Sequence, residues 1–330
     1  MTAMYLIIGL LIIAIGAFCQ SSSYVPINKI KDWSWESYWI VQGVFAWLLF
    51  PLVGALLSVS GTGGSFSDLL AMMSADPQAT WLTILFGALW GVGGLTFGLS
   101  MRYLGVALGQ SIALGTCSAL GAILGPVFTG HAGDLTSAVI IGVAGGMKAA
   151  ALPEEEKKKA VKDFNFGKGI AVALLAGFMS ACFNIGLNFG QDLYLPGTKP
   201  IFQTLPATML VTFGGFLTNA VYCFYQNNKN KTWGDYGKKA LWGNNLVFCC
   251  LAGLLWYSQF FGLSLGKGFL TDYPVLITFS WCILMALNVV FSNVWGIILK
   301  EWKGVSRKTI TVLLVGLAVL IFSTFLPQLI

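Results

Sequence analysis

Long apolar runs separated by short polar stretches organise this chain. The pattern lacks the strict alternation of a half-buried strand, and it is broader than the narrow stripe of a soluble amphipathic helix. A helix needs about 20 mostly apolar residues to cross a bilayer's hydrocarbon core. Ten windows answer to that description: 4–20, 38–60, 81–100, 104–128, 135–152, 168–190, 203–225, 243–265, 274–299 and 309–328. The expected fold is therefore an all-α polytopic membrane protein with ten transmembrane helices. Only Met101-Arg102-Tyr103 separates the third window from the fourth, which predicts a tight helical hairpin. No Lys or Arg precedes the first run, and charge follows it at Lys29 and Lys31, so it reads as a retained helix and not a cleaved leader. Between the second and third windows, glycines give way to a short apolar patch at Leu69, Leu70, Met72 and Met73. That stretch reads either as a plain loop or as a small interfacial helix.

Charge supplies the orientation. Ten spans leave nine connections on alternating sides. The connections after spans 1, 3, 5, 7 and 9, with Lys148 beside them, hold 17 of the 19 basic residues; only Lys199 and Lys267 fall on the other side. Basic loops stay in the cytoplasm, so both termini are expected on the outer face of a bacterial inner membrane. The run Glu154-Glu155-Glu156-Lys157-Lys158-Lys159 lies near the centre of the chain and reads as a solvated joint between two halves.

Composition agrees with this picture. Hydrophobic residues make up 56% of the chain and charged residues 10%, against about 25% charged in soluble domains. The 40 glycines suit close helix packing in lipid. The net charge of +6 sits in short loops and gives no reason to expect a nucleic-acid partner. All seven cysteines lie in or beside apolar runs, and His131 is the single histidine, so neither a disulfide framework nor a metal or cofactor site is expected.

A short repeat adds structure to the count. Leu89-Trp90 is followed by Phe97-Gly98-Leu99-Ser100, and Leu255-Trp256 by Phe261-Gly262-Leu263-Ser264; the two Phe-Gly-Leu-Ser copies stand 164 residues apart. They end the third helix of each expected five-helix half. Five is odd, so the second half would enter the membrane from the opposite side, giving an inverted repeat of the kind used by alternating-access carriers. The halves are expected at 1–152 and 168–330, joined by a cytoplasmic loop at 153–167.

The spans carry no carboxylate near mid-membrane, where a cation exchanger buries one. They do carry amides and aromatics: Gln20, Tyr24, Gln42, Trp90, Gln110, Asn184, Asn188, Asn219, Trp256, Tyr257, Gln259, Asn288 and Asn293. Amides both donate and accept, which matches sugar hydroxyls, and aromatic rings can cover a pyranose C–H face. Asn184 and Asn188 share a face at i, i+4; Trp256 and Gln259 share one at i, i+3. Interhelical hydrogen bonding accounts for such residues singly; as a set they point to a carrier of a small uncharged polyol. An intramembrane enzyme would need clustered acids for a metal or a nucleophile with its base, and neither pattern is present. A passive channel or a sugar sensor is a further reading, against which the repeat argues for a gated carrier.

Several long segments carry a resemblance: Tyr24-Val25-Pro26, Lys29 to Glu36, Phe86 to Gly105, Phe164-Asn165-Phe166 with Lys168-Gly169, Gly253 to Phe261, and Leu299-Lys300-Glu301-Trp302. In this order they resemble the bacterial L-rhamnose–proton symporters of the drug/metabolite transporter superfamily, from about residue 15 to the C-terminus. The resemblance implies ten helices in a five-plus-five inverted repeat and proton-driven uptake of L-rhamnose or a related neutral 6-deoxyhexose. Its runner-up is a carrier or exporter of another small neutral metabolite. Tyr24, Trp90, Asn188, Trp256, Tyr257 and Gln259 fall on positions that look shared. Gln20, Gln110 and Asn184 depart from the pattern, as does the segment from Gly266 to Pro274. The expected substrate-binding set is Tyr24, Trp90, Gln110, Asn184, Asn188, Trp256, Tyr257 and Gln259. Proton coupling needs a group that changes protonation; Asp272, beside Pro274 at the start of the ninth span, is the first candidate, with an exposed loop aspartate as the plain alternative. Asp192 is the second. The expected partners are the sugar, the proton and membrane lipid.

Overall fold

The structure, a computed structural model, describes residues 2–104 and 165–298, and isolated positions at 112–117, 120, 124, 127 and 311. The fifth and tenth expected spans, most of the fourth, Gln110 and nearly all of the 153–167 joint lie outside the described residues. What is described is helical throughout, with no strand among these residues.

The helices are α1 (Thr2–Ser22), α2 (Trp35–Val59), α3 (Phe66–Ala75), α4 (Pro77–Leu104), α5 (Phe166–Phe189), α6 (Leu205–Asn230), α7 (Lys239–Phe269) and α8 (Pro274–Ile298). A single turn at Tyr24–Ile27 follows α1. Among the described residues six helices are long and apolar enough to cross a membrane. The sequence windows for spans 1, 2, 3, 6, 7, 8 and 9 each fall on one helix. The main difference is length at the lysine-bearing end, where α6 runs on to Asn230 and α7 starts at Lys239. Apolar length marks the lipid crossing, whereas a helix continues into polar residues as long as its backbone bonds are met there. Lipid-facing surfaces stay apolar: Ile7, Leu11, Ile15 and Phe18 form one exposed stripe of α1, and Phe213, Leu217, Val221 and Phe224 one of α6.

The stretch after α2 resolves the choice between loop and helix. Ser65 and Asp68 form a reciprocal capping box, Ser65 N–H donating to Asp68 Oδ2 at 2.7 Å, and this starts α3. Leu69 and Met73 on α3 are buried against Ala55, Leu193, Leu195 and Leu210, so the short helix closes over the ends of α2 and α6.

Glycine decides how closely the helices approach. On α1, a side chain at Gly16 would meet the Ser258 carbonyl at 3.0 Å; on α7, one at Gly262 would meet Gly16 Cα at 3.2 Å, and one at Gly266 the Gly9 carbonyl at 2.8 Å. Backbone therefore packs on backbone along α1 and α7. The same logic holds α4 to α6 at Gly91, Gly214 and Gly215, and α4 to α5 at Gly93 and Gly186. Thr218 Oγ1 donates to the Ala88 carbonyl at 2.8 Å across the α4–α6 contact.

α2 contains a π-helical turn at Val44–Leu49, where the Phe50 N–H reaches back five residues to the Phe45 carbonyl. Pro51 explains its place: proline lacks an N–H and its ring crowds the carbonyl four residues back, here Trp47, so the ladder widens just before it.

The lysine-bearing ends are tied by a polar latch. Asp235 accepts from the Ser34 N–H (2.7 Å), Ser34 Oγ (2.8 Å) and Ser37 Oγ (3.0 Å), and pairs with Lys238 at 2.7 Å. Burial raises its carboxyl, but Lys238, Ser34 and Ser37 outweigh that and hold it at about 2. Glu36 accepts from Asn230 Nδ2 (3.0 Å) and Thr232 Oγ1 (2.8 Å). The start of α2 is thus fastened to the turn between α6 and α7.

Candidate functional site

A cavity of about 470 Å³ opens between the helices. Its wall comes from α1 (Gln20, Ser21), the turn after it (Val25, Asn28), α2 (Trp39, Trp47), α4 (Trp90, Gly91, Gly94, Phe97), α5 (Ser180), α6 (Asn219), α7 (Trp256, Gln259, Phe260) and α8, with Leu114 and Cys117 beside them. The α8 contribution is Trp281, Met285, Asn288, Ser292 and Trp295. That 4-3-4-3 spacing is one helix face, about 21 Å long at 1.5 Å per residue. None of these lining residues is charged.

Position along each helix gives the cavity a direction. The lining residues of α1 come from its last turn, and those of α8 run toward its C-terminal end at Trp295. Both of those ends lie on the lysine-bearing side, as do Asn28 and Phe97. On the opposite side, the glycine contact between α1 and α7 begins at Gly16, against Gln259 Cα. Among the described residues, the cavity therefore points to the lysine-bearing face and is closed off by α1 and α7 on the other.

Its floor is aromatic. Trp47 meets Trp90 and Trp256 edge-on, with centroids 6.1 and 5.9 Å apart, and Trp90 lies 5.6 Å from Trp256. Trp90 also packs on Phe183 (5.0 Å), which stacks between Phe260 (4.1 Å) and Trp281 (5.7 Å). Such rings fix one another at ordinary aromatic separations. The polar groups are amides held in place. Asn288 Nδ2 donates to Gln259 Oε1 at 3.1 Å, and Gln259 Nε2 to the Trp256 carbonyl at 3.2 Å. The Trp39 indole donates to Asn219 Oδ1 at 3.0 Å, while Asn219 Nδ2 donates to the Gly215 carbonyl at 2.9 Å. Among the described residues, a bound solute would thus meet π-faces, amides and hydroxyls, and no ion.

Of the residues expected from sequence, Trp90, Trp256 and Gln259 come together on this wall. Tyr24 sits in the turn after α1, next to the lining residue Val25. Tyr257 is buried and faces away: a side chain at Gly54 of α2 would fall on its hydroxyl, so it belongs to the α2–α7 contact. Asn184 is buried in α5 and Asn188 is half-buried near that helix's far end; neither lines the cavity. Asp272 is exposed in the turn before α8, and Asp192 is exposed after α5. Trp47, Trp281 and Phe260 were absent from the sequence-based set. Trp47 carried a signal in its depth: twelve residues from either end of α2, it cannot serve an interfacial belt, where Trp usually sits; Trp281, seven residues into α8, and Phe260 carried none. Among the described residues no group of acids, histidines and cysteines could hold a metal ion.

A multi-pass helical bundle with a neutral, aromatic-floored cavity has the build of a solute carrier. Within that class, this chain belongs to the L-rhamnose-proton symport protein (RhaT) family, whose sequence model matches residues 2–329. It is 33% identical to the L-rhamnose-proton symporter of Cronobacter sakazakii over 340 residues, which spans 95% of this chain and 94% of that protein. It is 31% identical to the symporter of Enterobacter sp. over 332 residues (94% and 93%), and 31% identical to that of Shigella dysenteriae over 330 residues (93% and 93%).

Proposed function

We propose that this protein imports L-rhamnose, or a closely related neutral 6-deoxyhexose, by proton symport and alternating access. The observation that carries this reading is the cavity: 470 Å³, within the usual range for small-molecule sites, lined by amides and stacked tryptophans and, among the described residues, by no charged side chain. An anionic substrate would need a cation on that wall, and an apolar drug would strand its amides. Relatives at 31–33% identity bear the name L-rhamnose-proton symporter. A carrier or exporter of another small neutral metabolite of the drug/metabolite transporter type is the second reading.

In this proposal ten helices form two inverted five-helix halves, 1–152 and 168–330. The packing supports it: α1 of the first half lies along α7 of the second, and α5, which opens the second half, lies along α4 of the first. These are swapped pairs of first and third helices, as a two-fold axis in the membrane plane requires. The distribution of basic residues puts the lysine-bearing face in the cytoplasm, so the cavity is the cytoplasm-facing form of the carrier. Trp90, Trp256 and Gln259 contact the sugar, and Tyr24 and Gln110, assigned from sequence alone, complete the substrate-binding set. Asn184, Asn188 and Tyr257 act from the helix contacts that rearrange when the carrier turns over. Asp272 takes the proton at the outer end of α8.

The test is uptake of labelled L-rhamnose into proteoliposomes with and without an inward proton gradient. Accumulation driven by the gradient is expected. Equilibration indifferent to the gradient removes the proton from the proposal, and no uptake by folded protein removes the sugar.

A further inference from the structure

Serine hydroxyls inside helices often return to a carbonyl three or four residues back. That is the habit here: Ser21 donates to the Ala17 carbonyl at 2.9 Å, Ser100 to Phe97 at 2.7 Å, Ser258 to Leu254 at 2.8 Å and Ser280 to Ile277 at 2.6 Å. Ser180 of α5 departs from it. It is half-buried on the cavity wall, and among the described residues its hydroxyl has no hydrogen-bonding partner and is not sealed from solvent. It therefore keeps surface that a solute can reach. That surface opens inward: Leu175 and Phe178 are the exposed, lipid-facing residues of this stretch, and Ser180 stands about 140–160° around the helix from both.

A second observation meets it from α4. Ser180 lies against Gly93, where an added Cβ would fall 2.9 Å from the serine oxygen. The next residue, Gly94, lines the same cavity, and among the described residues nothing stands within 4 Å of where its Cβ would be. Glycine inside a helix costs stability relative to alanine. Gly87 and Gly91 account for that cost by admitting the backbone of α6, and Gly93 by admitting that of α5. Gly94 admits no helix. It shares a face with Trp90, four residues earlier, and lies about 160° from the exposed Val92. The open space in front of it is the cavity.

Trp90 packs on Phe183 at 5.0 Å, and Ser180 precedes Phe183 by one turn, so ring, hydroxyl and open glycine gather at one level of the floor. Ser292, also half-buried on the wall and without a partner among the described residues, sits on α8 between Asn288 and Trp295, nearer the mouth. We propose that the sugar ring lies against Trp90 and Gly94, with the missing side chain at 94 making its room, and that Ser180 Oγ hydrogen-bonds one of its hydroxyls. A serine hydroxyl both donates and accepts, which matches a sugar hydroxyl and brings no charge. This rests on the neutral-sugar reading of the cavity and adds the residues that set which sugar fits. Ser180 reads one hydroxyl, because a site built to bond a hydroxyl rejects the analogue that lacks it; Gly94 sets the bulk tolerated beside the ring.

The experiment is calorimetric binding of L-rhamnose and of its 2-, 3- and 4-deoxy analogues to the purified full-length protein, with thermal unfolding of each variant alongside. Gly94→Ala should unfold at the same temperature as the unmodified protein or higher, since alanine favours a helix, yet bind L-rhamnose at least about threefold more weakly. Gly94→Leu should weaken it at least about thirtyfold. Ser180→Ala should weaken L-rhamnose about tenfold or more, while one deoxy analogue, the one lacking the hydroxyl that Ser180 bonds, binds variant and unmodified protein alike. Gly94 variants that bind L-rhamnose as the unmodified protein does overturn the placement of the ring, and so does a Gly94→Ala protein that unfolds at lower temperature. Ser180→Ala with unchanged affinity, or with L-rhamnose and all three analogues weakened equally, overturns the hydroxyl contact. Absence of L-rhamnose binding to the unmodified protein overturns the sugar reading itself, which separates the two failures.

Discussion

Trp90 of α4 and Trp256 of α7 face each other across the cavity floor with ring centroids 5.6 Å apart. Each follows a leucine, and each precedes a Phe-Gly-Leu-Ser run that ends the apolar part of its helix. The two tryptophans stand 166 residues apart and the two Phe-Gly-Leu-Ser runs 164, and these two copies of one short motif supply adjoining walls of one site.

That pairing predicts unequal effects of two substitutions at either position. Trp90→Ala or Trp256→Ala should weaken L-rhamnose binding by about 1–3 kcal/mol, since a lost ring removes both its contact and its edge-to-face partners. Phe at either position should cost less than half of that. Tryptophan fluorescence titration on the purified protein measures both; equal affinities for the Ala variants and the parent would move the site elsewhere.

The α1–α7 glycine contact predicts a change of state and not only of stability. A leucine at Gly262 has no room against the Ile12 carbonyl and Gly16 Cα, at 3.0 and 3.2 Å from its Cβ, so Gly262→Leu should disfavour the closed outer side. The expected result is at least a tenfold fall in uptake with sugar binding from the outer side retained. Labelling of a cysteine introduced at Ile13, which is 0% exposed in the closed contact, should rise in the same variant. Unchanged labelling with lost uptake would mean simple misfolding.

Asp235 links stability to pH with a definite sign. Its carboxyl titrates at about 2 when folded and near the ordinary aspartate value of about 3.9 when unfolded. A depressed carboxylate stabilises above the unfolded value, and that stability is lost as pH falls through about 4 toward about 2. Asp235→Asn should therefore destabilise by about 1.5–3 kcal/mol at pH 7, the range for hydrogen bonds to a charged group. Thermal unfolding in detergent should show the gap between parent and variant narrowing below pH 4 and constant above pH 5.

Orientation is open to a direct check at two exposed residues, Ser67 and Lys231. A membrane-impermeant maleimide should label Ser67→Cys in intact cells and Lys231→Cys only after permeabilisation, over a background set by the seven native cysteines. The reverse order would turn the cavity to the outside.

For the proton, Asp272→Asn should abolish accumulation against a gradient while sugar exchange between equal concentrations continues. Undiminished accumulation would reassign the proton to another group, Asp192 being the next to replace.

Much of this was readable along the chain. Apolar windows placed α1, α2, α4, α5, α6, α7 and α8 because the cost of exposing backbone to lipid leaves a helix as the local solution wherever some 20 apolar residues run together. The Leu-Trp and Phe-Gly-Leu-Ser repeat picked out the two helices that meet at the floor of the cavity. The absence of charge from mid-span set the neutral chemistry of the lining.

What the sequence could not carry was the choice among equivalent polar residues. Tyr257 and Trp256 are neighbours in one helix, yet a rotation of 100° sends the first onto Gly54 of α2 and the second into the cavity. Asn188 and Asn288 are both amides in apolar spans, and only the second meets Gln259. Trp47 enters the site through a π-turn ahead of Pro51, a departure from the regular period that face-counting presumes. Lengths and polarity follow from how each segment meets lipid and water, which is a local matter. Which face of a helix looks inward depends on where its neighbours let the backbone approach, at Gly16, Gly91 or Gly262, and that is settled only when the helices pack.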